Sequence, residues 1–288
     1  MGFGSYCSIQ DIKGVLGVSS TTDDTVMRKI CESASRSIDR YTNRYFYVTS
    51  ATKYFNGAGR TLWTPDLLSI EALKTDADGD ATYENTFATT DYLLYGGGLE
   101  DSYNTLPKTR IELSHDSDYG AFANGIKVGV EIDGMWGYGD GISATPYVSD
   151  TTISEDLTAG EEAIDVTAVT NLSAGNNILI GSEQYYIYSV DTLTLTVESG
   201  VNGTTAATHS TDDVIYIYQY PADIRQACID LSTALYENRG KAGMQSYRLG
   251  DYAYTVRGAA GRGGEMTEKG MVKSILDDTI RSYKRMRV

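Results

Sequence analysis

The chain has two histidines and three cysteines, and their spacing bounds the chemistry it can host. His115 and His209 lie far apart, and neither has a second His or Cys at ligand spacing. Neither a zinc site nor a Cys–His nucleophile is therefore written here. Cys7, Cys31 and Cys228 are odd in number, distant, and contain no C-x-x-C, which argues against a disulfide framework or a zinc cluster. Cys31 and Cys228 fall inside helical patterns and read as small core residues. Asp76-Ala77-Asp78-Gly79-Asp80 imitates the opening of a calcium loop. Its Gly stands at the fourth position, however, and Glu84 arrives too early for the bidentate ligand of an EF-hand, so an Asp-rich hairpin turn is expected. Arg239-Gly240-Lys241 lacks the upstream Gly and the following Ser or Thr of a phosphate loop. Gly258 to Gly264 neither follows a parallel strand nor opens a helix, and both stretches read as loops. No enzyme, no metal and no cofactor are expected.

The 288 residues suggest about two domains, and 41% hydrophobic with 22% charged residues is enough to bury a core without disorder. The N-terminus has no basic segment followed by an apolar run, and no stretch approaches the ~18 apolar residues of a membrane span. Secretion and membrane insertion are not expected. The formal charge of −15 argues against a general nucleic-acid binder, but the charge is unevenly placed. Residues 147–219 contain no Lys or Arg and eleven acids, leaving 28 acids against 24 bases, a net −4, on the rest. Exclusion of DNA contact thus applies to the acidic segment alone.

That segment alternates with period two at Ala163 to Val166, Asn177 to Ile180, Tyr185 to Val190, Leu193 to Val197 and Val214 to Tyr218, which predicts an all-β module. Before it, Ser8 and Asp11 form a capping box, and Ile9, Ile12, Val15 and Leu16 predict a short helix stopped by Gly17. Asp24 opens a second helix with Val26, Ile30, Ala34, Ile38 and Tyr41 as its expected apolar stripe. Strands are expected at Lys53 to Phe55, Leu67 to Lys74, Thr82 to Phe87, Tyr92 to Tyr95, Arg110 to Leu113 and Ile126 to Ile132, paired as hairpins. After the module, Pro221 begins a helix with Ile224, Ala227, Cys228, Leu231, Ala234 and Leu235 on one stripe and Gly240 as its stop. Lys241 to Glu265 reads as a Gly- and Arg-rich loop with one hairpin, and Met271 to Tyr283 as a final helix. The fold class is α+β: a helical core, antiparallel hairpins, and an inserted all-β domain. Its domains are a discontinuous one over 1–146 and 220–288, and an acidic module over 147–219. Tyrosine is the composition outlier, at 23 residues against 5 Phe, which suits extended interfaces, sugar binding or strand edges.

Several segments together resemble one family. Tyr6-Cys7-Ser8-Ile9-Gln10-Asp11-Ile12-Lys13, Ala34 to Phe46, Pro65-Asp66-Leu67-Leu68-Ser69-Ile70, Asp91 to Tyr95, Gly134-Met135-Trp136-Gly137-Tyr138 and Pro221 to Cys228 follow the order found in head-tail connector proteins of long-tailed bacteriophages. The resemblance covers roughly 1–146 and 220–288. The intervening module resembles a small β module recurrent in phage virion proteins, through Leu157 to Gly160, Ile178 to Glu183 and Gly200 to His209. It departs from that pattern in having Ser199 where an Arg commonly precedes the Gly-Val-Asn-Gly stretch.

The resemblance implies a structural virion protein at the head-tail interface, made in the host cytoplasm. Such a protein forms a ring with itself, generally a dodecamer, binds the portal, extends the channel for transient passage of DNA, and presents a platform to the next neck or tail protein. On that basis the excess cations of the C-terminal part, Arg248, Arg257, Arg262, Arg281, Lys284, Arg285 and Arg287, are the expected portal-docking residues, and the module is expected to project outward. The alternative expectation is another tail or baseplate component whose β module binds a neighbouring protein or a host-surface glycan.

Overall fold

The computed structural model describes residues 4–96, 102–239, 246–249, 252–255, 276–277 and 279–285. Within them the chain is α+β, with three helices, two large antiparallel sheets and a two-stranded ribbon.

Helix α1 (Ile9–Leu16) begins at Ser8, whose side chain accepts from the Asp11 N–H while the Asp11 carboxylate takes the Ser8 N–H, and Gly17 closes it. Helix α2 spans Asp24–Thr42 and α3 spans Ala222–Glu237. The α3 helix stops at Asn238, ahead of the expected Gly240. In α2 the buried face is Met27, Cys31, Ala34, Ser35, Ile38, Asp39 and Thr42, one residue round from the expected stripe, and Val26 is exposed. The small residues Cys31 and Ser35 let α3 approach closely, whereas Val26 and Ile30 would hold it off. The helices share a cluster with Tyr6, Phe46, Tyr138, Leu276 and Ile280.

The first sheet contains β1 (Thr49–Phe55), β2 (Thr61–Thr75), β3 (Asn85–Thr86), β4 (Tyr92–Gly96), β5 (Ser102–Tyr103), β6 (Lys108–Leu113) and β7 (Val130–Trp136). Its order is β1-β7-β2-β6-β4-β5, with β3 on the end of β2. The expected local hairpins are largely replaced by pairing between distant strands, because the long, bulged β2 lies between β7 and β6 and binds both. Ile126 to Gly129 is a turn, and the strand expected there starts at Val130. Gly137, at φ 136, leaves β7 where an added Cβ would sit 2.2 Å from the Tyr47 carbonyl oxygen, so only glycine fits the Gly-Tyr step.

The second sheet is built wholly from residues 147–218: β8 (Tyr147–Thr152), β9 (Ala163–Asp165), β10 (Asn177–Ile180), β11 (Glu183–Asp191), β12 (Thr194–Glu198) and β13 (Val214–Tyr218), in the order β8-β13-β10-β11-β12-β9. The outermost strands meet through an Ile153–Val166 bridge, so the sheet curls back on itself around Ile164, Ile178, Tyr185, Ile187, Leu195 and Ile215. Entry and exit are neighbours, with Tyr147 paired to Tyr218 and the Gln219 N–H donating to the Pro146 carbonyl.

The ribbon is β14 (Ser246–Leu249) with β15 (Tyr252–Thr255). Most of the expected final helix lies outside the described residues. Leu276, Asp277 and Thr279 are helical, and Arg281–Tyr283 form a single 3-10 turn. Among the described residues no helix is long and apolar enough to cross a membrane.

Candidate docking surface

Four sequence segments that are far apart in the chain meet around residues 283–285. The Thr42 carbonyl at the end of α2 accepts from the Arg285 N–H at 2.8 Å, and Asn43 Nδ2 donates to the Arg285 carbonyl at 3.0 Å. Arg44 Nε donates to the Tyr283 carbonyl at 2.8 Å, and its Nη1 reaches Asp66 Oδ1 at 2.5 Å. Arg285 completes the arrangement, with Nη1 3.4 Å from Asp66 Oδ1 and Nη2 donating to the Thr64 carbonyl at 2.6 Å. The Arg44 guanidinium stands 5.3 Å above the Tyr138 ring, and Tyr283 packs edge-on against Phe46 and Tyr138. The buried carboxylate of Asp66 thus holds two guanidiniums and ties the C-terminal segment to the body.

This clamp sorts the expected docking cations. Arg285 is half-buried and occupied within the chain. Arg281 and Lys284 are exposed, Lys284 with Nζ 5.3 Å from the Tyr41 ring centre. Arg248 lies on β14; Arg257, Arg262 and Arg287 lie outside the described residues.

A second exposed feature crosses the first sheet. Trp63 pairs with Arg110, Arg110 with Tyr95, and Tyr95 with Tyr103 on successive strands. The Arg110 guanidinium lies 5.5 Å from the Trp63 ring and 4.5 Å from the Tyr95 ring, and Trp63 and Tyr103 are 59% and 61% exposed. No sequence pattern marks this ladder, because its members are spread from Trp63 to Arg110 and only strand register aligns them.

The acidic module does not hang by its two connections. Tyr186 OH donates to Glu32 on α2 at 2.7 Å, Gln184 Nε2 to the Val48 carbonyl at 3.1 Å, and the Ile9 N–H to the Ala174 carbonyl at 3.2 Å. Arg28 covers the Tyr188 ring at 4.8 Å, and Leu179 and Tyr218 pack with Val48 and Leu68. Gly203, at φ 85, approaches β1 so closely that a Cβ would meet the Ser50 carbonyl oxygen at 2.0 Å. Asn202 turns its amide onto Gln184 Oε1 at 3.0 Å. The Gly-Val-Asn-Gly stretch is therefore the module's foot on the body. The tyrosine excess finds a use here too, since Tyr147, Tyr186, Tyr216, Tyr218 and Tyr220 line this internal junction.

Within the module, Glu183 is fully buried. It accepts from Ser199 Oγ at 2.6 Å, the Gly200 and Ala207 N–H groups at 2.9 Å each, and Tyr185 OH at 2.8 Å, with His209 Nε2 at 3.0 Å. Burial pushes its carboxyl up, but the donors outweigh that and hold it below the ordinary range. His209 is thus a structural partner of a buried acid. His115 is exposed beside Asp116.

The Asp76, Asp78, Asp80 and Glu84 carboxylates converge within 4.8 Å. Asp76 accepts from the Asp78, Gly79 and Ala81 N–H groups, and Glu84 accepts from that of Ala77. The carboxylates are engaged in the turn itself, as an Asp-rich turn requires.

A scan against protein-family models gives no match, and a search of curated proteins gives none.

Proposed function

We propose that the chain is a head-tail connector of a long-tailed bacteriophage, a structural protein that assembles as a ring of twelve copies below the portal. One observation carries the reading: three of the segments that resemble the connector family, Ala34 to Phe46, Pro65 to Ile70 and Gly134 to Tyr138, converge on one clamp, where Asn43, Arg44, Asp66 and Tyr138 hold Tyr283 and Arg285. A terminal segment fixed in this way presents Arg281 and Lys284 to a partner, and we assign these two to portal docking. Arg248, Arg257, Arg262 and Arg287 are assigned with them on sequence alone.

A closed ring needs two different, complementary faces in fixed relation on each protomer. The cation-free module and the cation-bearing body supply different faces, and the contacts of Tyr186, Gln184 and Gly203 fix one against the other. The helices α1, α2 and α3 serve as the scaffold, and the lumen would pass DNA transiently without a strongly basic wall.

Electron microscopy of the purified protein, with and without its portal, tests the ring. Charge reversal at Arg281 and Lys284, which leaves the Asp66 clamp intact, is expected to abolish portal binding at unchanged thermal stability; full binding by that variant would sink the docking assignment. The Trp63–Arg110–Tyr95–Tyr103 ladder, exposed at its two ends, favours a second reading, a tail or baseplate component that grips a neighbour or a host-surface glycan. Position and copy number in purified particles separate the two.

A further inference from the structure

The three cysteines, far apart in sequence, meet in the helical cluster. Cys7 Sγ lies 3.0 Å from Cys228 Sγ, about 1 Å beyond a disulfide bond length. Cys228 Sγ is also 3.9 Å from the Cys31 carbonyl oxygen, and Ser35 and Ser232 hydroxyls lie 3.4 and 4.0 Å from it. Cys7 sits in the segment ahead of α1, and Cys228 in the middle of α3, 221 positions later. Every residue of the acidic module falls between them.

We propose that Cys7 and Cys228 are a conditional cross-link site: both are thiols in a reducing compartment and join as a disulfide when the protein meets a low-molecular-weight disulfide such as oxidised glutathione. The Cys7 thiolate attacks one sulfur of that disulfide and releases the first glutathione thiolate. The Cys228 thiolate then attacks the Cys7 sulfur of the mixed disulfide and releases the second. Two protein thiols are oxidised, their two protons go to solvent or to the leaving thiolates, and one glutathione disulfide is reduced to two thiols.

Of the two buried thiols Cys7, 3% exposed, is the entry point, because it borders a polar groove of about 740 Å³ between α1, α3 and the module, together with Ser5, Ser8, Asn171, Gln219 and Gln226. Cys228 lies fully inside. Burial, then the contact with Cys7, pushes the Cys228 thiol up. The Cys228 contact lowers the Cys7 thiol, but the Cys31 contact and burial outweigh it. Exchange is therefore slow at neutral pH and quickens as pH rises. The bond would fasten the segment carrying Tyr6, whose hydroxyl donates to Asp39 and accepts from the Phe46 N–H, to the helix that follows the module.

The full chain, purified under reductant, is incubated with oxidised glutathione at pH 8.5, and in parallel refolded from denaturant in the same buffer, then alkylated and mapped by mass spectrometry without reduction. The expected result is a Cys7–Cys228 linked peptide, a fall from three free thiols to one per chain, and a Tm raised by roughly 5–10 °C, all reversed by dithiothreitol. Cys31→Ser should behave as the parent, and Cys7→Ser should show neither link nor shift. Three free thiols after both treatments, or a link through Cys31, overturns the proposal, and neither result depends on whether a ring forms.

Discussion

Asp66 in the body and Glu183 in the module are both almost wholly buried, yet the donors that meet them differ in kind. Asp66 is met by two guanidiniums, from Arg44 and Arg285, which arrive from opposite ends of the chain. Glu183 is met by hydroxyls, backbone N–H groups and one imidazole, all from residues 185–209. A buried carboxylate needs compensation in either case. Where cations are present, compensation doubles as a long-range tie. In a module without Lys or Arg it becomes a local knot, which lets the module carry its charge wholly as acid.

The strongest way to break this comparison is Glu183→Ala. Two backbone N–H groups and two hydroxyls would lose a fully buried acceptor, so a loss of about 4 kcal/mol is expected. Urea denaturation should then resolve the module as the less stable unit, and a loss below about 1 kcal/mol would mean that water replaces the carboxylate. Asp66→Ala comes next. It leaves the Arg44 side chain, 11% exposed, without its counter-charge, at a cost of about 3 kcal/mol. Its signature is different: hydrogen exchange should rise around Tyr283 and Arg285 while the module's amides stay protected.

Much of the architecture was legible because it is local. The Ser8–Asp11 box, Gly17, and the alternation at Asn177 to Ile180 and Val214 to Tyr218 fixed element type and ends to within a residue or two. The stripe of α2 was displaced by one residue because Cys31 and Ser35, weakly apolar by type, face α3 for their small size. Strand β8 went unseen, since Tyr147 to Thr152 is half-exposed and scarcely alternates. The clamp was half legible. Its residues were singled out as motifs, but that Arg285 turns inward onto Asp66 depends on pairing across 219 positions, which no periodicity encodes. That the module rests on the body was not legible either, since the partners of Gln184 and Tyr186 lie 136 and 154 positions away.

A third acid sharpens the comparison through pH. Asp39, on the buried face of α2, has its carboxyl raised to about 6 by burial, against the pull of Arg36 and the Tyr6 hydroxyl. Its folded value lies above the unfolded one, near 3.9, so its contribution is fully present below pH 4 and is lost as pH rises through about 6. Glu183 is held low, so its contribution is present above pH ~4.5 and is lost as pH falls through its folded value. Stability measured against pH should therefore move in opposite directions for the two sites. Relative to Asp39→Asn, the parent should lose on the order of 3 kcal/mol between pH 4 and 7. Relative to Glu183→Gln, it should lose its advantage only below pH 4.5. Parallel profiles would show that both acids are compensated alike.

The smallest effect belongs to Ser199. Its hydroxyl supplies one of the donors on Glu183, at 2.6 Å, so Ser199→Ala is expected to cost only about 1 kcal/mol, the remaining donors still satisfying the carboxylate. Ser199→Arg asks whether the knot can be turned into a tie of the Asp66 kind. Position 199 is half-exposed, so a guanidinium there can keep part of its hydration while it approaches Glu183, and the double change of Ser199→Arg with His209→Gln isolates its effect. If charge compensation and local donors are interchangeable, the Arg variant matches or exceeds the parent in denaturation midpoint and rescues the His209 substitution. If it falls below Ser199→Ala, the pocket is shaped for neutral donors, and the absence of cations from the module is required by its packing as well as by its surface.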